Sequence, residues 1–405
     1  MPQLHADQGA LGEHSSSPAL LSGTLLPNEV ATAEELVGSY HGMALPLAEQ
    51  VRPGAPLCQR CEVLPEPLHG PGRLHLRLPH TLGKVLRHLG RSSWVHRHHQ
   101  GTVTVEVPPG SLAPLLSPLD SLLLATEKRD ARVLFEPQGH HTQLADLFET
   151  ASLTTFVARE RSTWLLDLLR SQALSAVFQP IMRLQAEGAS VYGHECLLRA
   201  QVDGRPVSPG EMFELARAAD LLFQLDLSAR RTALLAAARH GLRGKVFVNF
   251  APNALYDAVS CLRSTVKLVD ELGLSREQVV FEITESERLP ELALLQNIVG
   301  YYRDHGFAVA LDDVGAGYSS LNVLLALRPE YVKLDRALVQ GVHERPEQAL
   351  VAAKLLEAAQ GLGLPVIAEG IEGAGELDWV RAHGVEFAQG YYFARPATPP
   401  PLLED

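Results

Sequence analysis

The sequence predicts an α/β protein built on a (β/α)8 TIM-like barrel with irregular first strands, preceded by a small α+β domain. Two observations predict the barrel. After Ser171, eight short apolar runs follow one another: "AVFQPIMRL", "VYGHECLLR", "KVFVNF", "VVFEIT", "FAVALDD", "YVKLD", "PVIAEG" and "VEFAQGYYF". Long helical stretches such as "PEQALVAAKLLEAAQGLG" lie between most of them. Nearly every run also ends in a polar residue where burial alone would favour Val, Ile or Leu. An open doubly wound sheet is the rival, but it does not ordinarily need eight units.

The elements are justified in chain order. Residues 1–57 are rich in Ser, Pro, Gly and Ala without periodicity and read as a flexible segment. Residues 58–150 read as a small regulatory or sensor domain with the pair Cys58 and Cys61 at its start. Within it "RLHLRL" alternates as a strand, and "HTLGKVLRHLG" is a short helix closed by Gly90. "SSWVHRHH" and "TVTVEV" form a hairpin, "SLAPLLSPLDSLLL" is mixed helix, and "ARVLF" is a last strand. That order fits a ferredoxin-like module. Residues 151–172 read as one linking helix with Trp164, Leu165, Leu168 and Leu169 on a stripe. Residues 173–400 are the barrel. Only the turn "QAEGAS" separates its first two runs, so they are expected to pair as a hairpin.

Composition bounds the function. The 405 residues carry a formal net charge of −12, which argues against binding to a DNA or RNA duplex or to anionic lipid. No apolar run is long enough for membrane insertion, and the N-terminus lacks a signal-peptide pattern. A cytoplasmic location is the expectation. Four cysteines in a chain this long make no disulfide framework. An anionic substrate would need local positive charge, supplied by metal ions or a few arginines.

The strand ends carry Glu195, Asn249, Glu282, Asp312 with Asp313, Lys333 with Asp335, Glu369 and Gln389. Taken singly, an Asp or Asn after a strand is a turn residue or helix cap, and a lone Lys snorkels to solvent. Taken together, so many clustered carboxylates repel and resist ionisation unless cations are present. All-oxygen ligands suit Mg2+ or Mn2+ rather than zinc. Adjacent aspartates fit a residue bridging two ions, the arrangement that activates water for displacement at phosphorus. Lys333 can hold or help deprotonate that water. In "FAVALDDVGAGYSSL" the strand period puts Ala308, Ala310 and Asp312 on one face, and Asp313 on the other. Both carboxylates reach one site only if the chain turns there, which Gly315 and Gly317 make easy. The residues thus describe a two-metal phosphoesterase.

Eight ordered motifs then carry a resemblance: "FQP", "GHECLLR", "VNF", "FEITES", "LDDVGAGYSSL", "YVKLD", "IAEGIE" and "AQGYYFARP". Over about residues 172–400 the chain resembles the EAL-domain family of bacterial cyclic di-GMP phosphodiesterases. The resemblance implies hydrolysis of cyclic di-GMP to linear pGpG with two Mg2+ or Mn2+ ions. It implies metal ligation by Glu195, Asn249, Glu282, Asp312, Asp313 and Glu369. It gives Lys333, Glu369, Gln389 and Glu195 catalytic places, and gives Gln179, Leu198 and Arg199 to the substrate, with Arg199 on a phosphate. Glu285 would brace the loop containing Gly315 and Gly317, which the family ties to regulation and to a homodimer through the barrel. The alternative is a catalytically weak or inactive receptor or scaffold for cyclic di-GMP. Such members usually lack the metal glutamate, the Asp pair or the lysine, and this chain has them all.

Departures from the family pattern are few. The usual Glu-Ala-Leu reads Glu195-Cys196-Leu197, and neighbouring carboxylates should raise the thiol's pKa and suppress its reactivity. Val314 and Ala316 replace a common Phe and Thr, and Ala251 a common Ser. Outside the barrel, Cys58 and Cys61 have half of a zinc-site spacing, which His69, His75 or His80 would help to complete. Two reduced thiols in a proline-rich turn is the plainer reading.

Overall fold

A computed structural model of the chain describes residues 64–65, 68, 70–148, 150–254, 258–284, 292–315 and 320–401, with only the backbone at 145, 258–261 and 320–321. By its contacts the chain divides into residues 1–49 and 50–405, and every described residue lies in the second unit. No helix among the described residues is long and apolar enough to cross a membrane.

The first sheet comprises β1 (Gly72–Arg77), β2 (His96–His99), β3 (Thr102–Val107), β4 (Arg132–Pro137) and the short β5 (Ala151–Ser152), in the order β2-β3-β1-β4-β5. Every neighbouring pair is antiparallel. Its alternation sorts the two faces. Leu74, Leu76, Val103, Val105 and Val133 are buried beneath helices α1 (Leu82–Leu89) and α2 (Leu112–Leu122), whose Val85, Leu89, Leu115, Leu116 and Leu119 complete the core. Helices α3 (Ala125–Asp130) and α4 (Leu144–Phe148) flank β4 in sequence.

The stretch read as one linking helix is two, α5 (Leu153–Arg161) and α6 (Thr163–Ser171). The break falls at Ser162, which is fully buried and turns its hydroxyl back onto the Arg159 carbonyl. The halves have different partners. Leu153, Phe156 and Val157 of α5 pack into the first sheet's core, whereas Leu165, Leu166, Leu168 and Leu169 of α6 pack with Met212 and Ala216 beside the barrel. Trp164 is half-buried and packs against the same cluster, and Leu166 joins the stripe as well.

The barrel strands are β6 (Ser175–Leu184), β7 (Ala189–Val202), β9 (Lys245–Phe250), β10 (Val279–Thr284), β11 (Ala308–Val314), β12 (Tyr331–Leu334), β13 (Val366–Ala368) and β14 (Phe387–Ala388). They close as β6-β14-β13-β12-β11-β10-β9-β7, with β6 and β7 pairing to complete the ring. The first strand is the irregular one: β6 is antiparallel to both β7 and β14, and the remaining neighbours are parallel. The hairpin expected from "QAEGAS" is therefore present. A short strand, β8 (Arg205–Val207), extends β7 outside the ring.

Inside the ring the period-2 alternation of each strand builds two layers. The lower one is apolar: Ile181, Phe247, Val280, Ala310, Tyr331, Ile367 and Phe387 form one cluster. Residues facing the other way, such as Val248, Phe281, Val309 and Leu311, pack against the surrounding helices. The upper interior layer is the site.

Candidate active site

Each upper-layer residue lies two positions beyond a lower-layer one: Asn249 after Phe247, Glu282 after Val280, Asp312 after Ala310, Lys333 after Tyr331, Glu369 after Ile367 and Gln389 after Phe387. On the reversed strand β6 the order inverts, and Gln179 precedes Ile181. Strand pairing then fixes neighbours, placing Gln179 opposite Glu195 and Glu282 opposite Asn249.

Lys333 is the hub. Its side chain is 1% exposed, and Nζ lies 2.7 Å from Glu282 Oε1, 2.7 Å from Glu369 Oε1, 3.1 Å from Asp312 Oδ1 and 3.4 Å from Glu195 Oε2. Burial works against its ammonium, but Asp312, Glu195, Glu282 and Glu369 together outweigh it and hold the group well above the ordinary lysine value. A second chain of contacts runs along the other side. Gln389 Nε2 donates to Glu195 Oε2 at 2.7 Å and to Gln179 Oε1 at 3.1 Å, and Asn249 Nδ2 donates to Glu195 Oε1 at 3.2 Å.

Four carboxylates facing one ammonium leave negative charge without a counterpart. Burial, reinforced by Glu195 and Asp312, holds the Glu282 carboxyl well above the usual range despite Lys333. Burial likewise pushes Glu369 up to about 8. Lys333 Nζ, 2.7 Å from Glu282 Oε1, is the positive group nearest that buried carboxylate. Carboxylate oxygens of Asp312, Asp313 and Glu369 lie within 4.8 Å of one another. This donor set fits a hard divalent cation: all oxygen, mutually repelling, and short of positive charge.

Asp313 reaches this group by a backbone device. The pairing of β11 with β12 slips between Leu311 and Val314, and Asp313 adopts φ +56°, a left-handed conformation that Asp tolerates better than most residues. The turn thus starts on Asp313 itself, two residues before Gly315. Gly315 follows at φ +105°, where a Cβ would strike Leu338. Gly317, Ala316 and Glu285 lie outside the described residues, as do Cys58, Cys61 and His69.

A cavity of about 480 Å³ opens beside the cluster, lined by Glu195, Cys196, Leu198, Phe213, Asp226, Asn249, Asp312 and Asp313 among others. Leu198 is therefore at the cavity, while Arg199 is not among its lining residues and its Nη1 donates to the Leu198 carbonyl at 2.7 Å. Gln179 sits behind Glu195 and also donates to the Ala394 carbonyl at 3.3 Å. Asp335 does not join the site. It caps the following helix α12 (Arg336–Val339) by accepting from the Ala337 amide at 2.8 Å, the plain role of an Asp after a strand. Cys196 is buried, and burial above all, with Glu195 and Glu282 adding to it, pushes its thiol far up. In the first sheet both ring nitrogens of His75 are engaged, by Thr104 and Glu136, which takes it from the candidate zinc ligands.

The pair Asp226 and Arg230, on helix α8 (Leu222–Arg239), was not singled out from the sequence. An acid and a base four apart on a helix ordinarily read as a solvated surface pair. Both are here almost fully buried, and Asp226 lines the cavity.

The EAL domain family matches residues 162–396, more than half of the chain. The chain belongs to the EAL domain family. The match takes in α6 as well as the barrel. Among curated relatives, the probable cyclic di-GMP phosphodiesterase PdeG of Escherichia coli K12 is 30% identical over 55% of this chain and 44% of the relative. The cyclic di-GMP phosphodiesterase RocR of Pseudomonas aeruginosa is 32% identical over 55% of this chain and 57% of its own length. The chain spans less than half the length of several curated relatives that it matches. Among solved structures, a standalone EAL protein from Vibrio cholerae O395 in its c-di-GMP-bound form is 32% identical, with a TM-score of 0.50, covering 56% of this chain and 93% of that one.

Proposed function

We propose that this EAL-family chain is a phosphodiesterase that hydrolyses cyclic di-GMP to linear pGpG. The observation that carries the reading is the convergence of Glu195, Glu282, Asp312 and Glu369 on the single ammonium of Lys333, beside a cavity open to a ligand. The names of the relatives PdeG and RocR and the nucleotide-bound Vibrio cholerae structure support the choice of substrate.

Glu195, Asn249, Glu282, Asp312, Asp313 and Glu369 are the residues that would hold two divalent ions, Mg2+ or Mn2+. Such ions, when bound, activate water and neutralise charge developing at the phosphorus. The chain's own residues do the rest. Lys333 donates to the attacking water and steadies it against the carboxylates. Gln389 orients Glu195 and ties it to Gln179. Leu198 lies along the nucleotide, and Arg199 at its phosphate. The carboxamide of Asn249 uses its Nδ2 on Glu195, which keeps Oδ1 as its donor atom to a cation.

Residues 58–150 are read as a regulatory domain of ferredoxin-like type, with the two-helix segment that follows as its link to the barrel. The strand order of the first sheet supports the type. Pairing of two copies through the barrel is part of the reading, and exposed Leu325, Leu350 and Val351 are apolar surface that such pairing would cover. The test is direct. Purified full-length chain with Mg2+ or Mn2+ should convert cyclic di-GMP to pGpG, and Glu195→Ala should stop the conversion. Wild-type protein that binds the nucleotide and hydrolyses none of it with either ion would make the chain a receptor instead.

A further inference from the structure

We infer that the buried pair Asp226–Arg230 is a positioning device that holds the end of β9, and with it Asn249, in place for the site. The inference rests on the phosphodiesterase reading for the role of Asn249. Asp226 is 1% exposed and Arg230 fully buried. Arg230 Nε donates to Asp226 Oδ2 at 2.9 Å, and Nη2 of the same guanidinium lies 2.9 Å from that oxygen. The other carboxylate oxygen, Oδ1, accepts the backbone amide of Ala251 at 2.9 Å. Arg230 also donates from Nη1 to Thr265 on α9 (Ala258–Glu271), and its Cζ lies 5.3 Å from the centre of the Phe250 ring.

These contacts seize β9 where it leaves the barrel. Asn249 faces Glu195, Phe250 points to the helices and is met by Arg230, and Ala251 is met by Asp226. Residues 249, 250 and 251 are thus gripped in turn by the site, the guanidinium and the carboxylate. A buried ion pair is poor evidence of stabilisation, because desolvating both charges offsets their attraction, and an apolar pair of similar volume often serves as well. What an apolar pair cannot supply is an acceptor for the Ala251 amide. Backbone donors that lose their partner in a buried setting shift to find another, and the side chain two residues earlier moves with them.

Two double variants separate this role from simple packing. Removing Arg230 alone would leave the Asp226 carboxylate buried without its counter-charge and confuse the outcome. In Asp226→Asn with Arg230→Met both charges go, but an amide oxygen still accepts from Ala251. In Asp226→Leu with Arg230→Met the acceptor goes as well. Both full-length variants should fold with similar melting temperatures. Mn2+ affinity, measured by calorimetry, and turnover of cyclic di-GMP are compared between the two variants, with the Asn variant as the reference. The Leu variant should lose roughly 10- to 100-fold in both, the usual effect of removing a group that orients a ligand. Exchange of the Ala251 amide should be faster in the Leu variant than in the Asn variant. Equal behaviour of the two variants in binding and exchange, or failure of the Leu variant to fold, overturns the inference. If the wild type neither binds Mn2+ nor hydrolyses the nucleotide, the functional reading falls, and amide exchange alone still decides whether the pair holds Ala251.

Discussion

The barrel interior contains two layers carried by the same strands two residues apart, and they are closed by opposite physics. In the lower layer Phe247, Val280, Tyr331, Ile367 and Phe387 fill the space with side chains that attract by removal from water. In the upper layer Glu195, Glu282, Asp312 and Glu369 surround one ammonium with charges that repel one another. One layer is stable as built. The other gains from further positive charge, whether cations or protons on Glu282 and Glu369, and that difference divides stability from function within a few ångströms. Substitutions in the two layers should therefore fail in different ways.

The largest effect is expected at the hub. Lys333→Met should reduce turnover by roughly 10²–10⁴-fold, the range for loss of a positioned proton-handling group. It should also lower the melting temperature in chelator, because four carboxylates lose their partner. Steady-state kinetics and thermal melting check both, and near-normal turnover would remove Lys333 from the chemistry. In the lower layer Phe247→Ala should cost about 3–5 kcal/mol of stability in denaturant titration. Turnover per folded molecule should change little, and a loss of activity without loss of stability would show that the layers are not separable. The smallest effect distinguishes strand-end residues from one another. Asp335→Ala should cost about 1 kcal/mol through the lost helix cap, with turnover unchanged. A large loss of activity there would return Asp335 to the site.

How much of this was legible in the sequence follows from which interactions are local. The strand ends could be read because alternation is a period-2 property of consecutive residues, so Lys333 after Tyr331 and Glu282 after Val280 carry their own signal. The hairpin of β6 and β7 could be read from the short turn between them. The geometry at Asp313 was legible only as a requirement. Strand alternation turns its side chain outward, and it took a register slip with φ +56° to bring the carboxylate back. The break at Ser162 was hidden because nothing in "ARERSTWLL" forbids a continuous helix; two different cores pulling on its two halves set the division. The burial of Asp226 and Arg230 was hidden for a related reason. Their spacing is the same for a solvated pair and for one pressed between a helix and a strand, and only tertiary packing chooses.

The central claim is that the upper layer is a cation site, and melting in the presence and absence of metal tests it most directly. Full-length wild type should melt higher in saturating Mn2+ than in chelator, since an ion bound only by the folded state at a hundred times its Kd adds about 2.7 kcal/mol. Glu282→Gln should show a much smaller rise. Identical melting of the wild type with Mn2+ and with chelator would contradict the account.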